Sequence, residues 1–118
     1  MQWNAAIFVK YSLPIPGREA DALKLFTDGL APWGKLAAEE LCSEPEVFHH
    51  RDGGGFMFVR AESMEAADHI LMRDDVRRIV DIGLFTVQDF HVEVMMTGEM
   101  LMDNMSFYGI IGTELAYL

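Results

Sequence analysis

The alternation of apolar and polar residues along the chain predicts strands whose two faces differ. In residues 7–12, 56–60 and 89–94, one alternate set of positions is wholly apolar. The other set mixes aromatic with charged side chains. Because successive side chains of a strand point to opposite faces, these segments predict a sheet with one dry face and one half-polar, aromatic face.

Four such strands are predicted, over residues 5–13, 45–50, 56–60 and 85–96. An amphipathic helix is predicted from Arg18 to about Trp33, because apolar residues recur there at spacings of three and four. A second helix is expected to begin after Ser63, which is a favourable N-cap. Asp74 and Asp75 should interrupt this second helix, and Gly83 should end it.

This order, β-α-β-β-α-β, is that of the ferredoxin-like fold of the α+β class. Two helices would cover one face of a four-stranded antiparallel sheet. Residues 1–98 are predicted to form this domain. Residues 99–118 are predicted to be an apolar, Met-rich C-terminal extension that packs on the domain or on its dimer partner, with residues 107–111 as a candidate edge strand.

The apolar sets should face the helices, which leaves an aromatic and polar face uncovered. Its predicted residues are Asn4, Phe8, Lys10, Ser12, Phe56, Phe58, Arg60, Asp89, His91 and Glu93. Either His49 or His50 joins this face but not both, and His50 is taken as the cavity-lining residue. An exposed phenylalanine patch of this kind favours a homodimer closed through the sheet faces.

In these features the chain resembles the dimeric α+β barrel superfamily, in which two ferredoxin-like subunits close their sheets around a central space. The likeness covers about residues 5–96 and lies in the strand order, the broken second helix and the long last strand. Two short segments are also similar to those of bacterial members with no assigned function: Pro16-Gly17-Arg18-Glu19-Ala20 and Thr97-Gly98-Glu99.

The charge balance limits the possible partners. The 118 residues include 9 basic and 19 acidic side chains, for a net charge of −10. This balance argues against binding to nucleic acid or to an anionic membrane surface, both of which need a basic footprint. No apolar run is long enough to span a membrane. The single Cys42 and an N-terminus without a basic region predict a cytoplasmic protein with a reduced thiol.

One charged cluster could carry chemistry. Asp89, His91 and Glu93 are predicted at alternate positions of one strand face, with Lys10 and Arg60 on the same face. Such a group could perform acid–base chemistry, or it could be a salt-bridge network along a dimer seam. Neighbouring side chains on one strand diverge, so no metal site is expected. No cofactor is expected either.

Two functions are compatible with these sequence features. The resemblance implies a cofactor-independent monooxygenase- or isomerase-like enzyme that holds an aromatic or apolar molecule in a cavity at the dimer sheet face. In that reading His91 is the general base, Asp89 or Glu93 orients it, and Lys10 or Arg60 stabilises an enolate or phenolate. The alternative is a non-catalytic structural or ligand-binding homodimer.

Overall fold

The structure, a computed structural model, describes residues 2–98 and 101–106. The strands are β1 (Ala5–Tyr11), β2 (Glu46–His49), β3 (Gly55–Ala61) and β4 (His91–Met96). The helices are α1 (Glu19–Asp28), α2 (Ala31–Ala38), α3 (Met64–Leu71) and α4 (Asp74–Thr86). Each predicted helix is thus present as two consecutive pieces.

The strands form one antiparallel sheet in the order β2-β3-β1-β4, which confirms the predicted ferredoxin-like arrangement. Ile7, Val59, Leu36 and Val76 are fully buried between the sheet and the helices. Phe90, Val92 and Val94 pack against this core as predicted. The opposite sheet face is not covered by any helix of the described residues, and we call it the open face.

The first predicted helix is broken at Gly29. Gly29 closes α1, and its N–H donates a 2.9 Å hydrogen bond to the carbonyl oxygen of Leu25. Pro32 then lies in the first turn of α2, where its missing N–H costs no hydrogen bond. The apolar spacing that predicted one helix therefore continues across two.

The second predicted helix is interrupted where expected, but it ends later. Ser63 caps α3, and its Oγ accepts a 3.0 Å hydrogen bond from the Ala66 N–H. Gly83, predicted as the stop, lies inside α4 instead. A Cβ at this position would overlap the Phe90 ring, so the glycine allows the ring to lie against the helix.

The predicted last strand was wrong in its first half. Phe85 and Thr86 belong to α4, and β4 begins only at His91. Pro14 and Val87 form an isolated bridge, and Asp89 then adopts a φ of +52°. A left-handed residue interrupts the alternation of faces, so Asp89 does not share the strand of His91 and Glu93.

Little of the predicted extension falls within the described residues. Residues 101–106 are helical, and the side chains of Met102 and Met105 are exposed. The candidate edge strand over 107–111 lies outside the described residues. Packing of the extension on the domain or on a partner stays a prediction.

Candidate functional site

An apolar cavity of about 580 Å³ lies between α1 and the helix-facing side of the sheet. Helix α1 packs mainly against α4 and meets the sheet through Leu25 and Phe26, which pack on Tyr11. The lining comprises residues from both halves of the fold: Val9, Tyr11, Ser12, Leu13, Pro14, Leu23, Leu25, Phe26, Gly29, Leu30, Trp33, Val47, His49, Gly53, Gly54, Met57, Ile79, Val80 and Phe90. A volume of this size suits a small organic ligand.

One polar pair interrupts the apolar lining. The Tyr11 hydroxyl lies 3.1 Å from His49 Nδ1, within hydrogen-bond distance. The Phe26 ring stands edge-on to both partners, with ring centroids 5.0 Å from Tyr11 and 5.7 Å from His49. Burial raises the pKa of the Tyr11 hydroxyl above its ordinary value. The hydroxyl therefore stays protonated at neutral pH.

The β2–β3 hairpin brings His49 over Tyr11. Gly53 and Gly54 have φ values of +104° and +77°, which the tight connection requires. A Cβ at Gly54 would lie 3.1 Å from the Tyr11 carbonyl oxygen, and a Cβ at Gly55 would overlap the Phe48 carbonyl. The glycines thus let the hairpin approach β1 closely enough for the two side chains to meet.

The mouth of the cavity is apolar and open to solvent. Leu13, Leu23, Leu30 and Val47 line the cavity and are 49%, 62%, 41% and 45% exposed. Isolated exposed apolar residues are ordinary, but four around one opening form a contiguous patch of the kind that marks a binding site.

The open face carries a stacked phenylalanine cluster. Phe8 stacks on Phe58 with centroids 5.2 Å apart, and Phe48 stacks on Phe56 at 5.0 Å. Phe48 joins this face because β2 pairs it with Phe56. The Arg60 guanidinium lies 5.6 Å from the centre of the Phe58 ring. We call Phe8, Phe48, Phe56 and Phe58 the phenylalanine cluster.

The predicted charged residues are only partly brought together. His91 Nε2 lies 2.7 Å from Glu93 Oε1 on the open face, and the His91 side chain is 57% exposed. Asp89 lies instead beside a shallow polar depression at the end of β1, which Lys10, Ser12, His50 and Phe56 also line. Asn4 precedes β1 at its other end. A catalytic role for His91, Asp89 and Glu93 stays a prediction.

Sequence reasoning missed the Tyr11–His49 pair. The signal was present, because Tyr11 shares the parity of Ile7 and Val9 on the helix-facing side of β1. A tyrosine on an apolar strand face brings a hydroxyl that needs a partner. His49 and Val47 share the same face of β2, which places His50 toward the open side.

Neither a metal site nor a membrane-spanning helix is found in the described part of the chain. Within residues 2–98 and 101–106, no group of three or more His, Cys, Asp or Glu side chains is arranged to hold a metal ion. Over the same ranges, no helix combines the length and apolar character needed to cross a membrane.

The chain is similar to known proteins in its fold but not detectably in its sequence. No sequence profile of a known family matches it, and neither does any curated protein. Rv0793 of Mycobacterium tuberculosis superposes with a TM-score of 0.63 at 18% identity, covering 80% of this chain and 95% of that one. A dimeric ferredoxin-like protein of Bacteroides fragilis gives 0.62 at 10% identity, covering 81% and 98%.

A third solved structure is a candidate antibiotic biosynthesis monooxygenase of Caulobacter crescentus. Its TM-score is 0.59 at 19% identity, covering 82% of this chain and 92% of that one. These likenesses confirm that the chain has the ferredoxin-like α+β fold found in dimeric proteins and in monooxygenase-like proteins.

Proposed function

We propose that the protein binds a small, mainly apolar organic molecule in the cavity between α1 and the sheet. The observation that carries this proposal is the Tyr11–His49 pair, the polar focus of a mainly apolar space of about 580 Å³. Apolar walls supply affinity through surface burial, and a few placed polar groups orient the ligand.

The composition of the lining indicates the class of ligand. No Asp, Glu, Lys or Arg is among the described residues that line the cavity. A carboxylate or phosphate ligand would therefore lose its hydration without gaining an opposite charge. The net charge of −10 also repels anions at long range. A neutral aromatic or alicyclic molecule fits these conditions best.

The pair supports chemistry on such a ligand. An imidazole that a neighbouring phenol holds in place can bind a ligand oxygen and stabilise the charge that develops on it. The Caulobacter protein of the same fold is a candidate antibiotic biosynthesis monooxygenase. On that basis we propose a cofactor-independent monooxygenase- or isomerase-like activity; the alternative is a ligand-binding protein without turnover.

Binding can be tested by filling the cavity. Val47 lies on the edge strand β2 at the mouth, and Val47→Trp should lower affinity for apolar aromatic probes such as fluorene at least tenfold by calorimetry. Leu84→Trp is the matched control, because Leu84 is exposed on α4 and does not line the cavity. Equal affinity in both variants would contradict the proposed site.

Turnover needs a separate measurement. Oxygen uptake or product formation by the purified protein, with aromatic ketones and phenols and no added cofactor, would support an enzyme. A second candidate site is the open face, where His91 Nε2 lies 2.7 Å from Glu93 Oε1. His91→Gln should abolish turnover if this face is catalytic, whereas His49→Gln should do so if the cavity is.

We further propose that two copies associate through the phenylalanine cluster. Phe48 is 50% exposed although its ring stacks on others, so the cluster presents a flat apolar surface. Burying a phenylalanine contributes about 2 kcal/mol before association costs. The Bacteroides protein of this fold is dimeric, which supports association of two copies but does not identify the interface.

Light scattering tests the dimer directly. Phe58→Glu places a charge in the cluster and should give a monomer or an aggregate. Phe85→Glu is the control, because Phe85 is 67% exposed on α4 and lies outside the cluster. A soluble wild-type monomer at micromolar concentration would end this proposal.

A further inference from the structure

The surroundings of Tyr11 and His49 indicate which of the two residues donates the proton in their hydrogen bond. The Tyr11 residue is only 8% exposed and is surrounded by Leu25, Val87 and Phe26. His49 Nδ1 is the hydrogen-bond partner of its hydroxyl among the described residues. If Nδ1 carried a proton instead, the phenolic O–H would have no acceptor among the side chains that the structure describes. A neutral phenol donates readily to an unprotonated imidazole nitrogen, and a little-exposed hydroxyl gains from such a partner, so Tyr11 donates and Nδ1 accepts.

This direction fixes the tautomer of His49. A neutral imidazole carries one N–H, and an accepting Nδ1 leaves that proton on Nε2. The ring is held in place by Tyr11, with centroids 5.8 Å apart, and by the edge-on Phe26. No hydrogen bond to His49 Nε2 is present within the described part of the chain.

We infer that His49 binds the ligand as a hydrogen-bond donor, through Nε2–H, and that the ligand therefore carries an acceptor oxygen, for which a carbonyl is the best match. This inference rests on the proposed cavity site and narrows its ligand to neutral ring compounds with an acceptor oxygen, ketones and quinones before alcohols. Tyr11 is a positioning residue, because it acts on the ligand through the tautomer of His49. The same donor would stabilise an enolate or phenolate oxygen if the ligand reacts.

Three probes of nearly equal shape test the inference. Fluorene has no oxygen, 9-fluorenone offers a carbonyl acceptor, and 9-fluorenol offers a hydroxyl. We expect wild-type protein to bind 9-fluorenone about tenfold more tightly than fluorene, since one well-made hydrogen bond is worth about that factor. The affinity for 9-fluorenol should lie between the two.

Variants separate the roles of the two residues. His49→Phe should bring the fluorenone-to-fluorene ratio to about one, while fluorene affinity is retained. Tyr11→Phe should lower the ratio several-fold because the tautomer is no longer fixed. His69→Phe is the control and should keep the wild-type ratio, because His69 is exposed on α3 and does not line the cavity.

The tautomer also has a readout that needs no ligand. Nitrogen-15 NMR of the His49 side chain should show a protonated Nε2 and an unprotonated Nδ1, with a tautomer mixture in Tyr11→Phe. A protonated Nδ1 in the neutral wild-type ring would overturn the inference. Equal affinity for fluorene and 9-fluorenone would also overturn it while the cavity site stands. Binding of no probe would overturn both the inference and the proposed function.

Discussion

Tyr11 and His49 are 38 residues apart in sequence, and their side chains meet at 3.1 Å on the helix-facing side of the sheet. Tyr11 ends β1 and His49 ends the edge strand β2, so the two never pair directly. Both lie across from Gly55 of β3, which separates them in the sheet. The absence of a side chain at Gly55 opens the space between them.

Gly55→Ala should therefore damage both stability and the site. The added Cβ would overlap the Phe48 carbonyl and lie 2.9 Å from the His49 Cα. Backbone cannot move away as a flexible side chain can, so we expect a loss of about 1–3 kcal/mol in the free energy of unfolding by urea. Affinity for cavity ligands should fall as well, because His49 is displaced.

Gly34→Ala is the matched control for this change. Gly34 lies in α2, and a Cβ added there would meet open space, with no neighbouring atom within 4 Å. Replacing a helix glycine with alanine should stabilise the protein by about 0.5–1 kcal/mol. If Gly55→Ala stabilised the protein as Gly34→Ala should, the close backbone approach at Gly55 would be contradicted.

The Arg73–Asp75 contact predicts a pH dependence of stability. A hydrogen bond from the Arg73 side chain, 3.3 Å from Nε to Oδ1, is the main cause that lowers the pKa of the Asp75 carboxyl. A carboxyl with a lowered folded-state pKa stabilises the protein above its unfolded pKa of about 4. This stabilisation is lost as the pH falls through the lowered value.

Urea unfolding over roughly pH 2 to 6 checks this sign. Wild-type protein should lose more stability toward acid than Asp75→Asn does. The difference should be small and should shrink in salt, because both side chains are 37% exposed. Asp74→Asn is the control variant. The prediction would be contradicted if the free energies of unfolding of wild type and Asp75→Asn changed with pH in parallel.

Cys42 should be nearly inert toward thiol reagents in the folded protein. Burial, with a smaller contribution from the Glu44 carboxylate, raises its pKa to about 11. Only on the order of a thousandth of the thiol is then ionised at pH 8, and the thiolate is the reactive form. Its Sγ also lies 3.9 Å from the Trp33 carbonyl oxygen in the core.

A disulfide reagent followed by absorbance measures this protection. Native Cys42 should react at least a hundredfold more slowly than the exposed cysteine of a Cys42→Ser, Ser106→Cys variant. Urea should remove the difference, because unfolding restores both access and an ordinary pKa. Rapid modification of the folded wild-type protein would show that Cys42 is not buried as described.

The C-terminal extension gives a test of assembly. Residues 101–106 are helical, and they expose the apolar side chains of Leu101, Met102 and Met105 to water. Apolar surface of this kind is stabilised when a partner or another part of the protein covers it. Truncation after Gly98 should weaken dimerisation in sedimentation experiments if the extension docks on a partner. A truncated protein with wild-type dimer affinity but a lower Tm would place the extension in the core of its own subunit.

Sequence patterning predicted the fold well where one rule governed a whole element. The alternation in β1 and β3 assigned Ile7 and Val59 to the core and Phe8 and Phe58 to the open face, and the structure agrees. It predicted Ser63 as a cap, because N-capping depends on residues close in sequence.

Patterning failed where distant packing decides the outcome. The cavity depends on how far α1 stands from the sheet, which follows from its packing against α4 rather than from its own spacing. The start of β4 depends on a left-handed Asp89, whose φ no alternation can indicate. The face of His49 required the register of a four-residue edge strand, where a shift by one residue reverses every side chain.

Gly83 and Phe90 provide a direct test of whether tertiary packing outweighs local helix propensity. Alanine is a better helix former than glycine by about 1 kcal/mol, so local propensity favours Gly83→Ala in α4. The Cβ would, however, overlap the Phe90 ring, which packs on the core and lines the cavity. We expect Gly83→Ala to destabilise the protein by about 1–3 kcal/mol instead.

A double-mutant cycle isolates the steric cause. In a Phe90→Leu background the ring is gone, so Gly83→Ala should become neutral or stabilising by up to about 1 kcal/mol. The coupling free energy between the two positions should then be about 1–3 kcal/mol, measured by urea unfolding of all four proteins. If the two substitutions changed the free energy of unfolding additively, overlap with the Phe90 ring would not be the cause of the cost at Gly83.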